Sequence, residues 1–166
     1  MPKPGKPRLR VEPVAVTTTP GPTAESRLRI LIVDDLRDSA DSLAALLDTL
    51  GHETLAVYGG LAALEAGPAF RPDVILLDIG MPELDGLQTC MRLRETPWGS
   101  AAFVVAMTGW GQSEDRRRTS ESGFDAHLIK PADVEELLAL LASVAHGASS
   151  GQTHDDQNES QEPRVA

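Results

Sequence analysis

The apolar residues of the chain fall into short runs, unbroken at 74–77, that alternate with stretches of helical spacing. The runs predict strands at 28–33, 53–57, 74–77, 101–107 and 125–129. The remaining stretches predict helices at 39–50, 61–66, 84–94, 112–122 and 133–146. Strands without polar alternation are typical of a parallel sheet that is buried on both faces. We therefore predict an α/β fold with a doubly wound, five-stranded parallel sheet and right-handed crossovers.

The helical segments differ in how clearly they predict a buried face. Segment 61–66 is expected to end at Gly67-Pro68, and Asp133 is a candidate N-cap of the last helix. Segment 112–122 contains no apolar residue, so we expect it to be the least anchored element. The other three segments each have an apolar face. In segment 39–50 it consists of Ala40, Leu43, Ala44, Leu47 and Leu50, and in segment 84–94 of Leu87, Cys90 and Met91. In segment 133–146 it consists of Val134, Leu137, Leu138, Leu141, Ala142 and Ala145.

Composition divides the chain into three parts. Residues 1–27 are rich in proline and carry five Lys/Arg against two Glu, which predicts a disordered basic arm. Residues 147–166 predict a disordered acidic tail, and 28–146 form the expected domain. That domain is strongly acidic, which disfavours nucleic acid as a partner. Since no run reaches the roughly 18 apolar residues of a membrane span and Cys90 has no disulfide partner, we predict a cytoplasmic protein.

Four of the predicted strands end in residues that can carry chemistry. Asp34 and Asp35 follow the first strand, Asp78 the third, Thr108 the fourth and Lys130 the fifth. The carboxyl ends of parallel strands meet at one edge of a sheet, so these side chains are expected to converge. Three converging carboxylates repel one another and call for a cation, and a site of oxygen ligands alone favours Mg²⁺. Lys130 and the Thr108 hydroxyl would then suit a phosphoryl group.

These residues resemble the receiver domain of bacterial two-component response regulators. The resemblance covers about residues 28–145. The sequence around these motifs is most similar to that of receivers attached to hybrid histidine kinases. Since the sequence contains no recognisable kinase core or DNA-binding domain, we expect a stand-alone receiver with the flavodoxin-like fold. The motifs that carry the resemblance are Asp34-Asp35, Asp78 with Met81-Pro82 and Asp85-Gly86, Thr108-Gly109, and Lys130-Pro131.

The resemblance implies a role for each of these residues. Asp78 would accept a phosphoryl group from a phosphohistidine on a histidine kinase or a histidine phosphotransfer protein. Asp35, Asp78 and the backbone carbonyl of Gly80 would ligate Mg²⁺, with Asp34 contributing directly or through water. Lys130 would neutralise the developing charge, and Thr108 would move to hold a phosphoryl oxygen. Such a protein is a signalling phosphoacceptor that assists its own phosphorylation and dephosphorylation, and it is not an enzyme in the usual sense.

Phosphorylation would change the surface around segment 112–122 and the fifth strand, where a downstream protein target would bind. His127 stands at the position that usually holds the switch aromatic residue of the family. A switching role and an ordinary histidine on a central strand remain equal alternatives there.

Other functions are compatible with parts of this pattern. A phosphorylation-independent interaction module of the same fold is the main alternative, although such a module does not need the complete set of carboxylates, hydroxyl and lysine. A hydrolase with a nucleophilic aspartate would need a second carboxylate two residues after Asp78, where the chain has Gly80. In a flavin-binding protein Asp34 and Asp35 would repel the flavin phosphate.

Overall fold

The computed structural model describes residues 27–109 and 115–149. Within them five parallel strands form one sheet, with the strand order β2-β1-β3-β4-β5. This confirms the predicted doubly wound α/β architecture. The strands are β1 (Arg29–Val33), β2 (Glu53–Val57), β3 (Val74–Asp78), β4 (Phe103–Thr108) and β5 (Ala126–Ile129). The helices are α1 (Arg37–Thr49), α2 (Gly60–Phe70), α3 (Gly86–Arg94), α4 (Pro97–Ala101), α5 (Asp115–Glu121) and α6 (Val134–Ser149).

The core consists of two layers, one on each face of the sheet. Neighbouring residues of a strand point to opposite faces, so Ile30 and Ile32 belong to one layer and Leu31 and Val33 to the other. The first layer also contains buried residues of α1 and α6, and the second contains buried residues of α2 and α3. Because both faces are covered, the central strands β1, β3 and β4 are apolar except at an end residue. None of the helices in the described ranges is long and apolar enough to cross a membrane.

Helix α2 is longer than the sequence predicts. It continues past Gly67-Pro68 to Phe70 and ends at Arg71, which has the left-handed backbone conformation (φ 50°). Pro68 lacks a backbone N–H, but the Gly67 carbonyl still accepts a hydrogen bond from Arg71 N at 2.8 Å. The proline therefore removes one helical hydrogen bond without ending the helix.

The short helix α4 was not predicted, and it shortens the strand that follows it. Thr96 is its N-cap, with the Thr96 hydroxyl oxygen 3.0 Å from Gly99 N, and Pro97 occupies the first turn. These are favoured residues for a helix start. Ala101 therefore ends a helix, and β4 begins only at Phe103.

Three predicted core positions are wrong. Met91 is 57% exposed, because it follows the fully buried Cys90 and so lies about 100° further round α3, away from the sheet. Thr89 is buried on that helix instead, and its hydroxyl donates to the Asp85 carbonyl at 2.7 Å. On α6, Val134 is 44% exposed and Ala142 is also exposed.

The remaining helix predictions agree with the structure where it can be compared with them. All five predicted apolar residues of α1 lie in or against the core. Asp133 is the N-cap of α6, since its carboxylate accepts from Glu136 N at 3.0 Å. Residues 112–114 of the polar segment lie outside the described residues, and its weak anchoring stays a prediction.

Candidate functional site

The residues predicted at the strand ends meet at the carboxyl edge of the sheet. Asp34 directly follows β1 and Asp78 is the last residue of β3, while Thr108 ends β4 and Lys130 follows β5. The backbone holds them in register. Asp34 N donates to the Val57 carbonyl at 3.2 Å, and Lys130 N donates to the Thr108 carbonyl at 2.6 Å. The peptide bond between Lys130 and Pro131 is cis.

Three carboxylates form a compact group that we call the acidic cluster: Asp34, Asp35 and Asp78. One oxygen from each lies within 4.8 Å of the others. Asp34 and Asp78 are buried, at 4% and 7% exposure. Backbone N–H groups orient both of them, since Leu36 N donates to Asp34 Oδ1 and Gly80 N donates to Asp78 Oδ1, each at 3.0 Å. The cluster is therefore held by the main chain as well as by its own burial.

Lys130 neutralises part of this charge. Its Nζ lies 2.6 Å from Asp34 Oδ2 and 3.2 Å from Asp78 Oδ2. One ammonium against three carboxylates leaves two formal negative charges in a small volume. Oxygen ligands and a double negative charge fit a hard divalent cation such as Mg²⁺. The acidic cluster thus contains the three carboxylates that the sequence analysis expects to ligate Mg²⁺. The Gly80 carbonyl is a fourth expected ligand, implied by the resemblance to receiver domains.

The two buried carboxyl groups differ in their acidity. Burial raises the pKa of Asp34, but hydrogen bonds from Lys130 and the Leu36 N–H outweigh it, so this pKa lies below its ordinary value. Burial also raises the pKa of Asp78, and the hydrogen bond from Gly80 N and the charge of Lys130 offset it only in part, so the net shift is upward. Burial lowers the pKa of Lys130, but its contacts with Asp34 and Asp78 dominate and raise it. Lys130 therefore stays charged between the two carboxylates.

Glycines shape the loop that follows Asp78. A Cβ atom at Gly86 would lie 2.3 Å from the Asp78 carbonyl oxygen and 2.7 Å from Ile79 Cα, so no other residue fits there without moving the backbone. At Gly80 a Cβ would approach only Asp78 Oδ1, at 3.8 Å. Gly86 begins α3, and Asp85 is the cap whose carboxylate accepts from Gln88 N at 2.8 Å. The Asp85-Gly86 pair thus positions the strand end that carries Asp78.

The predicted switch residues Thr108 and His127 lie on β4 and β5, and β5 is an edge strand, so the expectation of a central strand at His127 is wrong. Thr108 is buried, and its hydroxyl makes one long contact with the Leu128 carbonyl, at 3.4 Å. A weak hydrogen bond of this kind leaves the hydroxyl available for a new acceptor. His127 is half-buried and pairs in register with Ala106 on β4. The structure therefore places both residues on adjacent strands.

A further anchoring residue was not predicted from the sequence. Arg94, at the end of α3, binds carbonyl oxygens of Gly99 at 2.9 Å, Ala102 at 2.7 Å and Gly123 at 2.7 and 2.8 Å. It also forms an ion pair with Asp125 Oδ2 at 2.6 Å. This Arg94 network connects α3 and α4 to the segment that leads into β5. An arginine in the last turn of a helix is a common favourable charge, so its position alone gave no sign of this role.

Comparison with known proteins identifies the family. The sequence-family model of the response regulator receiver domain matches residues 30–142, more than half of the chain. The chain belongs to this family. The receiver domain is 37% identical over 117 residues to the response regulator MprA of Mycobacterium ulcerans. This alignment covers 70% of the present chain and 50% of MprA. It is 34% identical over 116 residues to an uncharacterized 14.6 kDa protein of Leptolyngbya boryana, of which 88% is covered.

A solved structure shares the fold of this receiver domain. The signal receiver domain of a signal transduction histidine kinase from Syntrophus aciditrophicus superimposes with a TM-score of 0.67 at 28% identity. The match covers 81% of this chain and 99% of that one. The chain spans about half the length of relatives such as MprA. The family and fold expected from the residues are therefore confirmed, whereas the roles of the individual site residues belong to the proposal below.

Proposed function

We propose that this receiver domain is the phosphoacceptor of a two-component or phosphorelay system and that Asp78 is the residue phosphorylated. The observation that carries the proposal is the meeting of the acidic cluster, Lys130 and the Thr108 hydroxyl at one edge of the sheet. The donor would be a phosphohistidine on a histidine kinase or a histidine phosphotransfer protein. The excess of acidic residues in residues 28–146 supports protein partners rather than nucleic acid.

In the proposed transfer a carboxylate oxygen of Asp78 attacks the phosphorus atom. The O–P bond forms as the P–N bond to the donor imidazole breaks, and the imidazole keeps the electron pair and takes up a proton. Phosphoryl transfer depends mainly on positioning and on charge stabilisation. Gly80 N positions the Asp78 carboxylate, and Lys130 Nζ, 3.2 Å from it, stabilises the added negative charge. The transfer is thus between protein side chains, and the domain turns over no separate substrate.

The acidic cluster would hold Mg²⁺ through Asp34, Asp35, Asp78 and the Gly80 carbonyl. When bound, the cation supplies positive charge to the phosphoryl oxygens. Thr108, whose hydroxyl makes only the long contact to Leu128, would donate to a phosphoryl oxygen once Asp78 is modified. Movement of Thr108 would then change β5 at His127 and the neighbouring surface of α5, where the downstream target would bind.

Mass spectrometry of the intact protein tests this proposal. The full chain is incubated with acetyl phosphate and Mg²⁺, and we expect the added mass of one phosphoryl group, which alkaline hydroxylamine removes from an acyl phosphate. The Asp78→Asn variant should show none, because the attacking oxygen is absent. Asp38→Asn, an exposed acid on α1, is the matched control and should be labelled like the wild type.

Equal labelling of wild type and Asp78→Asn would place the modification elsewhere and refute the assignment. Absence of labelling in the folded wild type, both with acetyl phosphate and with a panel of phosphorylated histidine kinases, would favour the alternative of a phosphorylation-independent interaction module. Circular dichroism of each variant shows whether the fold is kept, so a loss of labelling can be assigned to chemistry.

A further inference from the structure

An apolar groove opens at the amino-terminal end of the sheet, opposite the acidic cluster. Its volume is about 930 Å³, and its walls include Leu28, Pro68, Trp98, Phe103 and Val144. The groove lies between the end of α2, the short helix α4 and the last turns of α6. This volume falls in the range of ligand-binding pockets, roughly 300–1,000 Å³. We call it the basal groove.

The described residues nearest to the two terminal segments, 1–26 and 150–166, lie at the basal groove. Leu28, next to the first described residue, lines it, and so does Gly147 near the end of α6. The segment 150–166 is polar and carries four acidic residues, so it does not suit an apolar surface. The segment 1–26 differs, because residues 9–16 read Leu-Arg-Val-Glu-Pro-Val-Ala-Val.

We infer that residues 9–16 bind the basal groove as an extended segment of the same chain. In an extended chain alternate side chains point to opposite sides, so Leu9, Val11, Pro13 and Ala15 form one continuous apolar edge. A proline in the middle favours extended backbone over a helix. The segment therefore has the shape and polarity of a strip that can cover an apolar groove.

The charged residues of the segment can stay outside the groove. Arg10 and Glu12 lie on the side of the extended strip that faces away from its apolar edge. The rim carries one residue of each sign, Arg71 and Asp73, both exposed. The apolar edge of the strip can therefore enter the groove while both of its charges stay in solvent, and neither rim charge has to be buried.

The connection between the strip and the domain is long enough for this binding. Residues 17–27 separate Val16 from Leu28, and eleven residues span up to about 36–40 Å when extended. Since Leu28 itself lines the groove, the required distance is shorter than this limit. A connection of this length gives an effective concentration of about 1 mM, so an individual dissociation constant well below about 1 mM is enough to keep the groove occupied.

Trp98 provides a direct measurement, because it lines the groove and Trp110 is the second tryptophan of the sequence. In a Trp110→Phe background, the double substitution Leu9→Asp and Val11→Asp should shift Trp98 emission to longer wavelength and increase its quenching by acrylamide. The matched control, Thr17→Asp with Thr19→Asp, adds the same charge outside the strip and should change neither signal. Equal quenching of all three full-length proteins would overturn the inference.

Two further experiments test whether the segment binds in the basal groove and whether it comes from the same chain. In an Ala101→Arg variant, which blocks the exposed rim of the groove, the aspartate pair should have no additional effect on Trp98. A synthetic peptide of residues 7–18, added at concentrations above about 1 mM to the Leu9→Asp/Val11→Asp protein, should restore protection. If protection of the parent protein is instead lost on dilution while sedimentation shows dimers dissociating, the occupant comes from a second copy and intrachain binding is wrong.

Discussion

Replacing Arg94 by methionine should strongly destabilise the receiver domain, because the Arg94 network fixes the entry to β5. Methionine fills part of the space but donates no hydrogen bond. The carbonyls of Gly99, Ala102 and Gly123 would lose a charged donor, and Asp125 would lose its ion-pair partner. Asp125 would still accept from Val104 N at 2.8 Å. The change therefore removes one side of a network while leaving its acceptors in place.

The magnitude follows from the exposure of the partners. Hydrogen bonds to charged groups contribute about 1.5–3 kcal/mol each, but the side chains of Arg94 and Asp125 are 22% and 38% exposed, so water replaces part of what is lost. We expect a net loss of about 3 kcal/mol in the free energy of unfolding. This is a large part of the roughly 5–15 kcal/mol of a typical domain. It corresponds to a fall of about 10 °C in melting temperature for a domain of this size.

Urea unfolding followed by circular dichroism measures this loss. Arg94→Lys keeps the charge but presents a single ammonium group, so it should lie between wild type and Arg94→Met. Arg92→Met, an exposed arginine on the same helix, is the matched control and should change stability by less than about 0.5 kcal/mol. A double-mutant cycle with Asp125→Asn should give a coupling energy of about 0.5–3 kcal/mol. If Arg94→Met costs no more than Arg92→Met, water replaces the network and the reasoning is wrong.

Three other predictions test the pH response, the loop after Asp78 and the cation. Burial lowers the pKa of His52, whose Nδ1 accepts a hydrogen bond from Leu28 N at 3.3 Å. The free energy of unfolding should therefore fall as the pH drops below the unfolded pKa of about 6.5, and level off below the folded pKa. If this free energy depends on pH in the same way in His52→Gln, the assignment to His52 is wrong. Gly86→Ala should cost about 1–3 kcal/mol and reduce labelling of Asp78, because the new Cβ meets backbone, whereas Gly147→Ala, with open space around it, should not. Millimolar Mg²⁺ should raise the melting temperature of the wild type by binding the folded acidic cluster, and an equal rise in Asp35→Asn would argue against that site.

The sheet and the site were predictable for the same physical reason. A parallel strand that is buried on both faces is an apolar run, and the residue at which such a run ends can be recognised in the sequence. Asp34, Asp78, Thr108 and Lys130 stand at those ends, and the topology alone brings them to one edge. Side-chain pairing was not predictable in this way. That Lys130 contacts Asp34 more closely than Asp78 depends on how the loop after β5 places it.

The errors in the sequence-based prediction came from local signals that were outweighed or overlooked. Gly67-Pro68 predicts the end of α2, but one missing hydrogen bond near a helix end costs too little to end it. Thr96-Pro97 is a helix-start signal that predicts α4 once it is noticed. The hydrophobicity of Met91 predicts a core residue, but its angular position on α3 differs from that of Cys90 and leaves it exposed. The contacts of Arg94 join three segments of the chain, α3, 99–102 and 123–125, and no pattern within a single segment indicates them.

The position of the basal groove has a practical consequence for joining this domain to other proteins. Leu28 and Gly147, at the two borders of the described fold, line the same groove, whereas the acidic cluster lies at the far ends of strands that are about 17 Å long. A fluorescent protein or an effector fused at either border would stand at that end of the sheet and leave the acidic edge open to a donor. For the same reason a short linker could join the two borders, and new chain ends could then be opened at a surface turn such as Gly51 to obtain a circular permutant.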